Sequence, residues 1–176
     1  MAARPKRSQS KEKTKPMTID QREFRRVLGN FATGVTIITA AHEGTLTGFT
    51  ANAIASISLD PPLVMVSIGR ENATLGIINA SQTFCINILR AEQEALARCF
   101  ATNGPGKYEH FCDTPYHQAV TGAPVLNDAL GWIDCRLYAS YPAGDHLILL
   151  GEVVGLDAVP DNPLLFLRGQ YTHLPE

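Results

Sequence analysis

The sequence is poor in the features that mark most enzyme classes. No apolar run approaches the roughly 20 residues needed to cross a bilayer. The basic N-terminus has no apolar stretch behind it, so a secretory signal is not expected and cytoplasm is the expected location. There is no CxxC pair: Cys85, Cys99, Cys112 and Cys135 are widely spaced, and the expectation is four reduced, mostly buried thiols. Cys112 with His110 and His117 matches no zinc spacing, so no metal is expected. GxSxG and HExxH are absent and the carboxylates are scattered, which argues against a nucleophile–base pair. Gly104-Pro105-Gly106-Lys107 lacks the spacing and terminal hydroxyl of a phosphate loop. No GxGxxG follows a strand, which argues against a Rossmann domain, and there is no internal repeat.

Charge is sparse and unevenly placed. Residues 1–17 hold six basic residues and one acid, a net +5, and the remainder carries −7. A basic tail can bind nucleic acid, but this one has no aromatic residue to stack on bases and the acidic body would repel phosphates. The expected organisation is a disordered basic tail over 1–17 and one domain over 18–176, with neither nucleic acid nor membrane as partner.

What is present is mostly strand. Thr18-Ile19-Asp20-Gln21 reads as a capping box. Phe24, Val27, Leu28 and Phe31 follow at helical spacing, predicting three to four turns that end near Gly34 and pack their stripe into the core. Val35–Ala40 is β-branched and predicts a strand. Gly48 to Gly69 predicts a strand, a turn at Leu59-Asp60-Pro61-Pro62, and a second apolar strand. Thr50, Asn52, Ser56 and Ser58 set short polar groups among small residues, so the two segments frame a concave surface of hydroxyls and backbone amides. Such a surface suits a flat, polar-edged ligand. Asn72 is placed to cap a helix carrying Leu75, Ile77 and Ile78, and a helix start is a natural phosphate site. Thr83–Leu89 predicts a strand with a polar Asn87. Ala91–Phe100 predicts a helix, and Thr102–Gly122 a long loop placed to cover a ligand. Ala129–Tyr141 and His146–Leu156 predict a long antiparallel pair, and Leu164–Leu167 a strand closing the sheet.

GFTANAIASISLDPPLVMVSI resembles the signature of the flavin reductase-like family, the small reductases of two-component flavin monooxygenases. FRRVLGNFATGVTIIT at Phe24–Thr39, FCINIL at Phe84–Leu89, GDHLILLGEV at Gly144–Val153 and PLLFLRGQY at Pro163–Tyr171 resemble that family too, in its order. The resemblance covers the chain from about residue 18. It implies a mainly β (α+β) fold: a split β-barrel with Greek-key connections, of the FMN-binding type, with a few peripheral helices. It also implies a homodimer with flavin sites near the interface.

The function implied is NAD(P)H:flavin oxidoreduction. Hydride would pass from NADH or NADPH to FMN or FAD, and the reduced flavin would go to a separate oxygenase acting on an aromatic substrate. The Pro163–Tyr171 segment most resembles reductases serving phenol or steroid-ring hydroxylases. Flavin-binding positions carried over are Gly48, Phe49, Thr50, Asn52 and Ala53, then Ser67, Ile68 and Gly69, then Asn72, Ala73 and Thr74 at the helix start. Asn87 and Leu89 are implied at the isoalloxazine edge. His146 is implied to hold the nicotinamide, with Arg168 for pyrophosphate and Tyr171 for stacking. No protein side chain is expected to be a catalytic nucleophile or base, because the cofactors carry the chemistry. Many family members have Ser where this chain has Ala53 and Asn72, which puts those two side-chain contacts in question. The alternative reading is a non-catalytic flavin or haem carrier on the same barrel, which has no need of a group such as His146, Arg168 and Tyr171.

Overall fold

A computed structural model describes residues 19–175. The basic segment 1–17 and Thr18 lie outside the described residues. In chain order the elements are α1 (Gln21–Leu28), β1 (Thr33–Gly34), β2 (Thr36–His42), β3 (Thr45–Ala51), β4 (Ile54–Leu59), β5 (Pro62–Gly69), α2 (Ala73–Ser81) and β6 (Thr83–Ile88). Then come α3 (Glu94–Ala101), α4 (Pro105–Tyr108), β7 (Tyr116–Gln118), β8 (Pro124–Leu126), β9 (Gly131–Ala143), β10 (His146–Ala158), β11 (Leu165–Leu167) and β12 (Gln170–Thr172).

Seven strands form one antiparallel sheet in the order β3-β2-β6-β9-β10-β5-β4. The sheet curls until β3 and β5 come into contact. β2 shows why its sequence does not alternate apolar and exposed polar residues: it is buried from Thr36 to Ala40, its threonines included. Ile38 and Ala40 point into one core with Phe49, Val66, Ile68 and Phe84. Ile37 and Val35 point into a second, with Leu89, Phe100, Phe111 and Leu164. A strand buried on both faces has no solvent side to mark with polar residues. One crossing demands glycine: a Cβ on Gly151 would lie 2.5 Å from the Phe84 ring and 2.8 Å from Cys135 Cβ.

Asp20 caps α1, its Oδ1 accepting from the N–H of Arg22 at 2.6 Å and of Glu23 at 3.3 Å; the capping box expected from Thr18 lies outside the described residues. The structure corrects four expectations. The helix ends at Gly29, because Asn30 turns its side-chain amide onto the carbonyls of Arg26 and Val27. Its apolar stripe is not core: Phe24 is 55% exposed and Phe31 77%. The period marks a face that wants cover, and among the described residues it borders an open groove with Ile54, Met65 and Phe166. Leu165–Leu167 does not close the main sheet; it joins β1 and β12 in a separate three-stranded one. The Gly48–Gly69 stretch holds three strand segments, because the backbone breaks at Asn52-Ala53 between β3 and β4.

The cysteines also differ from expectation. Cys99 and Cys112 are joined in a disulfide. The fold brings their Cα atoms to 6.1 Å, a proximity that a sequence separation of 13 does not reveal. Cys85 and Cys135 are free and buried, and burial pushes both thiols up, Cys135 to about 12.

Candidate functional site

Three separate stretches converge on one cavity of about 260 Å³. The end of β3 and the break after it contribute Phe49, Thr50, Asn52 and Ala53. The end of β5 and the turn after it contribute Ser67, Gly69 and Asn72, and β10 contributes His146. The break is held in place: the Ser67 N–H donates to the Ala53 carbonyl at 3.0 Å, and Asn52 Nδ2 donates to Thr33 Oγ1 at 3.1 Å. The Thr50 hydroxyl turns back and donates to the Ala97 carbonyl of α3 at 2.6 Å. Its remaining capacity toward the cavity is as an acceptor.

The start of α2 faces the same space. Asn72 caps it, with Oδ1 accepting from the Thr74 N–H at 3.0 Å. The Thr74 side chain is fully buried and meets the Thr47 hydroxyl at 2.9 Å, so it anchors the helix rather than projecting from it. The first-turn N–H of Ala73 has no intrahelical partner, and the helix dipole adds partial positive charge there. Ile68 and Gly48 do not line the cavity. The Ile68 side chain is in the core, and a Cβ on Gly48 would press the Phe100 ring at 2.9 Å.

His146 enters the cavity through register. It lies opposite Gly69 across the β5–β10 ladder. A Cβ built on Gly69 would stand 4.0 Å from His146 Nε2, so the imidazole lies over the glycine. Nδ1 is 2.8 Å from Asp145 Oδ1. That hydrogen bond, with the attraction of the ring, holds the Asp145 carboxyl below its ordinary value. Arg70 clamps the turn from the other side: its N–H donates to the Asp145 carbonyl at 3.1 Å and its Nε to the His146 carbonyl at 3.4 Å. Asp145 and Arg70 were not singled out from sequence. The Gly-Asp-His run was the signal for Asp145, and Arg70 had none beyond its charge.

The remaining expected positions lie elsewhere. Asn87 is fully buried. Its Nδ2 donates to the Ile37 carbonyl at 3.1 Å and to Thr39 Oγ1 at 3.0 Å, and its Oδ1 accepts from the Leu126 N–H at 2.8 Å. An amide so engaged ties β6 to β2 and β8 and has little left for a ligand edge. Leu89 is in the second core. Tyr171 packs edge-on against Phe166 at 5.3 Å under the Arg98 guanidinium, and burial pushes its phenol up. Arg168 donates from Nε to Asn30 Oδ1 at 3.0 Å and lines a separate cavity with Arg22, Arg25 and Arg26. His146, Arg168 and Tyr171 therefore do not share one cavity, because β12 belongs to the small sheet. The 102–122 segment does not roof the cavity either; Tyr116, Gln118, Thr121 and Gly122 line a different one beside His42.

Through Asn52 and Ala53 the cavity opens into an apolar groove of about 760 Å³. Phe24, Leu28, Phe31, Ile54, Met65 and Phe166 line it. The two spaces together have the size and lining of a nucleotide site. Small residues admit a flat ring, an N-capped helix suits a phosphate, and no acid points in. Among the described residues no three His, Cys, Asp or Glu side chains are grouped to hold a metal ion. No helix among them is long and apolar enough to cross a membrane.

The family description "Flavin reductase like domain" matches residues 28–175. The chain belongs to this family. It is 39% identical over 155 residues to the reductase subunit HsaB of a flavin-dependent monooxygenase from Rhodococcus jostii, covering 88% of this chain and 78% of that one. It is 41% identical to the reductase component of a 4-nitrophenol 4-monooxygenase/4-nitrocatechol 2-monooxygenase from Rhodococcus opacus, covering 88% and 82%. Among solved structures, the flavin reductase PheA2 superposes with a TM-score of 0.83 at 39% identity, covering 90% of this chain and all of that one. The NADH:FAD oxidoreductase SgcE6 of Streptomyces globisporus, complexed with NAD and FAD fragments, superposes with a TM-score of 0.83 at 34% identity, covering 89% and 93%. The mainly β chain has the split-barrel fold of these reductases.

Proposed function

We propose that the cavity between β3, β5, α2 and β10 holds the flavin of this reductase, with the nicotinamide beside His146. The enzyme is an NADH-dependent flavin reductase that supplies reduced flavin to a monooxygenase component. The observation that carries the placement is the convergence of the Asn52-Ala53 break, the capped start of α2 and His146 on one concave surface. The Ala73 N–H and the Asn72 cap face a phosphate. The N–H groups and small side chains around Ala53 and Ser67 face the edge of the ring. Ala53 in place of Ser removes a hydroxyl but leaves its backbone, and Asn72 in place of Ser still caps.

Hydride passes from the bound nicotinamide to the bound flavin; that chemistry belongs to the two groups. The protein's part is orientation and electrostatics. In the tautomer whose Nδ1–H donates to Asp145, His146 presents Nε2 as an acceptor toward the cavity, suited to a carboxamide N–H. Arg70 and Asp145 fix the turn that carries it.

The exposed stripe of α1 and the apolar groove form one face, and a second copy of the chain covers it in our reading, placing each flavin site at a dimer interface. FMN and FAD both fit the phosphate end. The relative named as the reductase component of a 4-nitrophenol 4-monooxygenase supports an oxygenase partner acting on an aromatic substrate, and the HsaB relative is likewise the reductase subunit of a flavin-dependent monooxygenase. They also disfavour a non-catalytic carrier.

The test is NADH oxidation by the full chain with and without added FMN or FAD, repeated with NADPH and with His146→Ala. Turnover that needs flavin, with a raised KM for NADH in the variant, is expected. Unaltered NADH kinetics in His146→Ala would remove the nicotinamide from this cavity.

A further inference from the structure

Cys99 and Cys112 differ from the other two cysteines in every physical respect. Cys85 and Cys135 are sealed in the core, and their thiols are held protonated by burial. Cys99 and Cys112 are only partly buried and are joined.

The bridge holds an unusual turn. Phe111, Cys112 and Asp113 all have left-handed backbones, with φ of 49°, 53° and 49°. None is glycine, so each carries a steric cost between its Cβ and the backbone. Three in a row persist only where the surroundings impose them. Two restraints are visible: the bond from Cys112 to α3, and the burial of Phe111, whose ring meets Phe100 edge-on at 5.2 Å.

Those restraints lead to the flavin cavity. Phe100 lies against Gly48 of β3, and the Ala97 carbonyl of α3 receives the Thr50 hydroxyl at 2.6 Å. Thr50, two residues on from Gly48 along the same strand, also lines the cavity, with Phe49 beside it and Asn52 just past the strand's end. The cross-link thus sits one helix behind the cavity wall.

We propose that Cys99 and Cys112 are a peroxide-reactive dithiol–disulfide site that sets how firmly the β3 wall of the flavin cavity is held. The inference rests on the placement of flavin in that cavity. The oxidant is hydrogen peroxide, formed when reduced flavin that escapes the oxygenase reduces dioxygen. One cysteine thiolate attacks a peroxide oxygen, the O–O bond breaks, and hydroxide leaves to become water, giving a sulfenic acid. The second thiol displaces that oxygen as a second water and forms the S–S bond. Two thiols are oxidised and one peroxide is reduced to two waters. A small-molecule dithiol reverses the reaction by exchange through a mixed disulfide. In the reduced chain the 111–113 turn is free to leave the left-handed region. Phe111 then loses its fixed place against Phe100, and α3 its purchase on Thr50. By linkage, bound flavin favours the disulfide to the same extent that the disulfide favours bound flavin.

The experiment compares the full chain after peroxide treatment and catalase, after dithiothreitol and anaerobic desalting, and as Cys99→Ser/Cys112→Ser. Denatured thiol counts confirm each state: two when oxidised and four when reduced. FMN affinity is read by flavin fluorescence, and opening of 102–122 by limited proteolysis. The oxidised chain is expected to bind FMN at least about five-fold more tightly than the reduced chain and to resist cleavage. The double variant is expected to behave as the reduced chain and to ignore peroxide. Four thiols remaining after peroxide, or equal FMN affinity in both redox states, overturns the proposal and leaves the flavin site standing. Absence of FMN binding in both states overturns the flavin placement and this inference with it.

Discussion

Asp145 Oδ1 lies 2.8 Å from His146 Nδ1, and the opposite nitrogen of that ring lies over Gly69. The carboxylate therefore fixes which ring nitrogen faces the cavity. Asp145→Asn keeps a partner at the same place but removes the charge and permits the wrong tautomer. The expected result is a KM for NADH raised by no more than a few-fold, because solvent screens so exposed a pair, with FMN affinity unchanged. Steady-state kinetics beside a flavin titration separates the two. A loss confined to flavin affinity would count against the assigned role.

Asn87 distinguishes a structural amide from a ligand contact. Asn87→Leu strands the Leu126 N–H and the Ile37 carbonyl away from water. The expected cost is about 2–4 kcal/mol of unfolding free energy by urea denaturation. The surviving folded enzyme should show an unaltered KM for flavin. A large KM rise without loss of stability would return Asn87 to the ring edge.

Gly48 couples the wall to the helix behind it. A Cβ there would stand 2.9 Å from Phe100 Cε1 and 3.1 Å from the Ile38 carbonyl oxygen. The ring can give way but the carbonyl cannot, so Gly48→Ala is expected to destabilise by about 1–3 kcal/mol and to weaken flavin binding. Thermal unfolding and a fluorescence titration on the same sample check both.

The α1 face predicts an assembly. Phe24→Asp with Phe31→Asp places charge on a stripe that is largely exposed and lines the apolar groove. A monomer of unchanged circular dichroism is expected where the parent elutes as a dimer. Light scattering after gel filtration decides it. A parent that is itself monomeric would leave the groove to some other cover.

The buried thiols set an alkaline limit. Folding raises Cys85 and Cys135 above the ordinary thiol value of 9.0, Cys135 to about 12. Their contribution is complete below that ordinary value, where both states hold the proton. It is lost between there and the folded value, because the unfolded chain ionises first. Each thiol removes at most about 1.4 kcal/mol per pH unit in that window. Denaturation midpoints from pH 8 to 11 should fall more steeply for the parent than for Cys85→Ala/Cys135→Ala.

The sequence by itself determined the long strands β2, β5, β6, β9 and β10, the helix starts at Asp20 and Asn72 to within a residue or two, the turn at Gly144-Asp145, and a surface of hydroxyls and amides near Gly48–Gly69. These follow from local physics: β-branching, capping side chains, and residues that cannot continue a strand. The resemblance of those segments to flavin reductases carried the fold and the activity. Only the tertiary structure decided which polar groups face the cavity. Asn87 and Thr50 look alike in sequence, each a small polar group in an apolar strand. Asn87 spends its amide on β2 and β8, whereas Thr50 borders the cavity with its hydroxyl tied to α3. The α1 stripe has the right period, but burial depends on what lies opposite, and among the described residues that is an open groove. Arg168 and Tyr171 were grouped with His146 by family order, yet β12 pairs with β11 in another sheet. The Cys99–Cys112 bond depended on a chain reversal that spacing does not encode. Period and capping act within a few residues of each other; pairing, burial and shared cavities are set by the path of the chain through space.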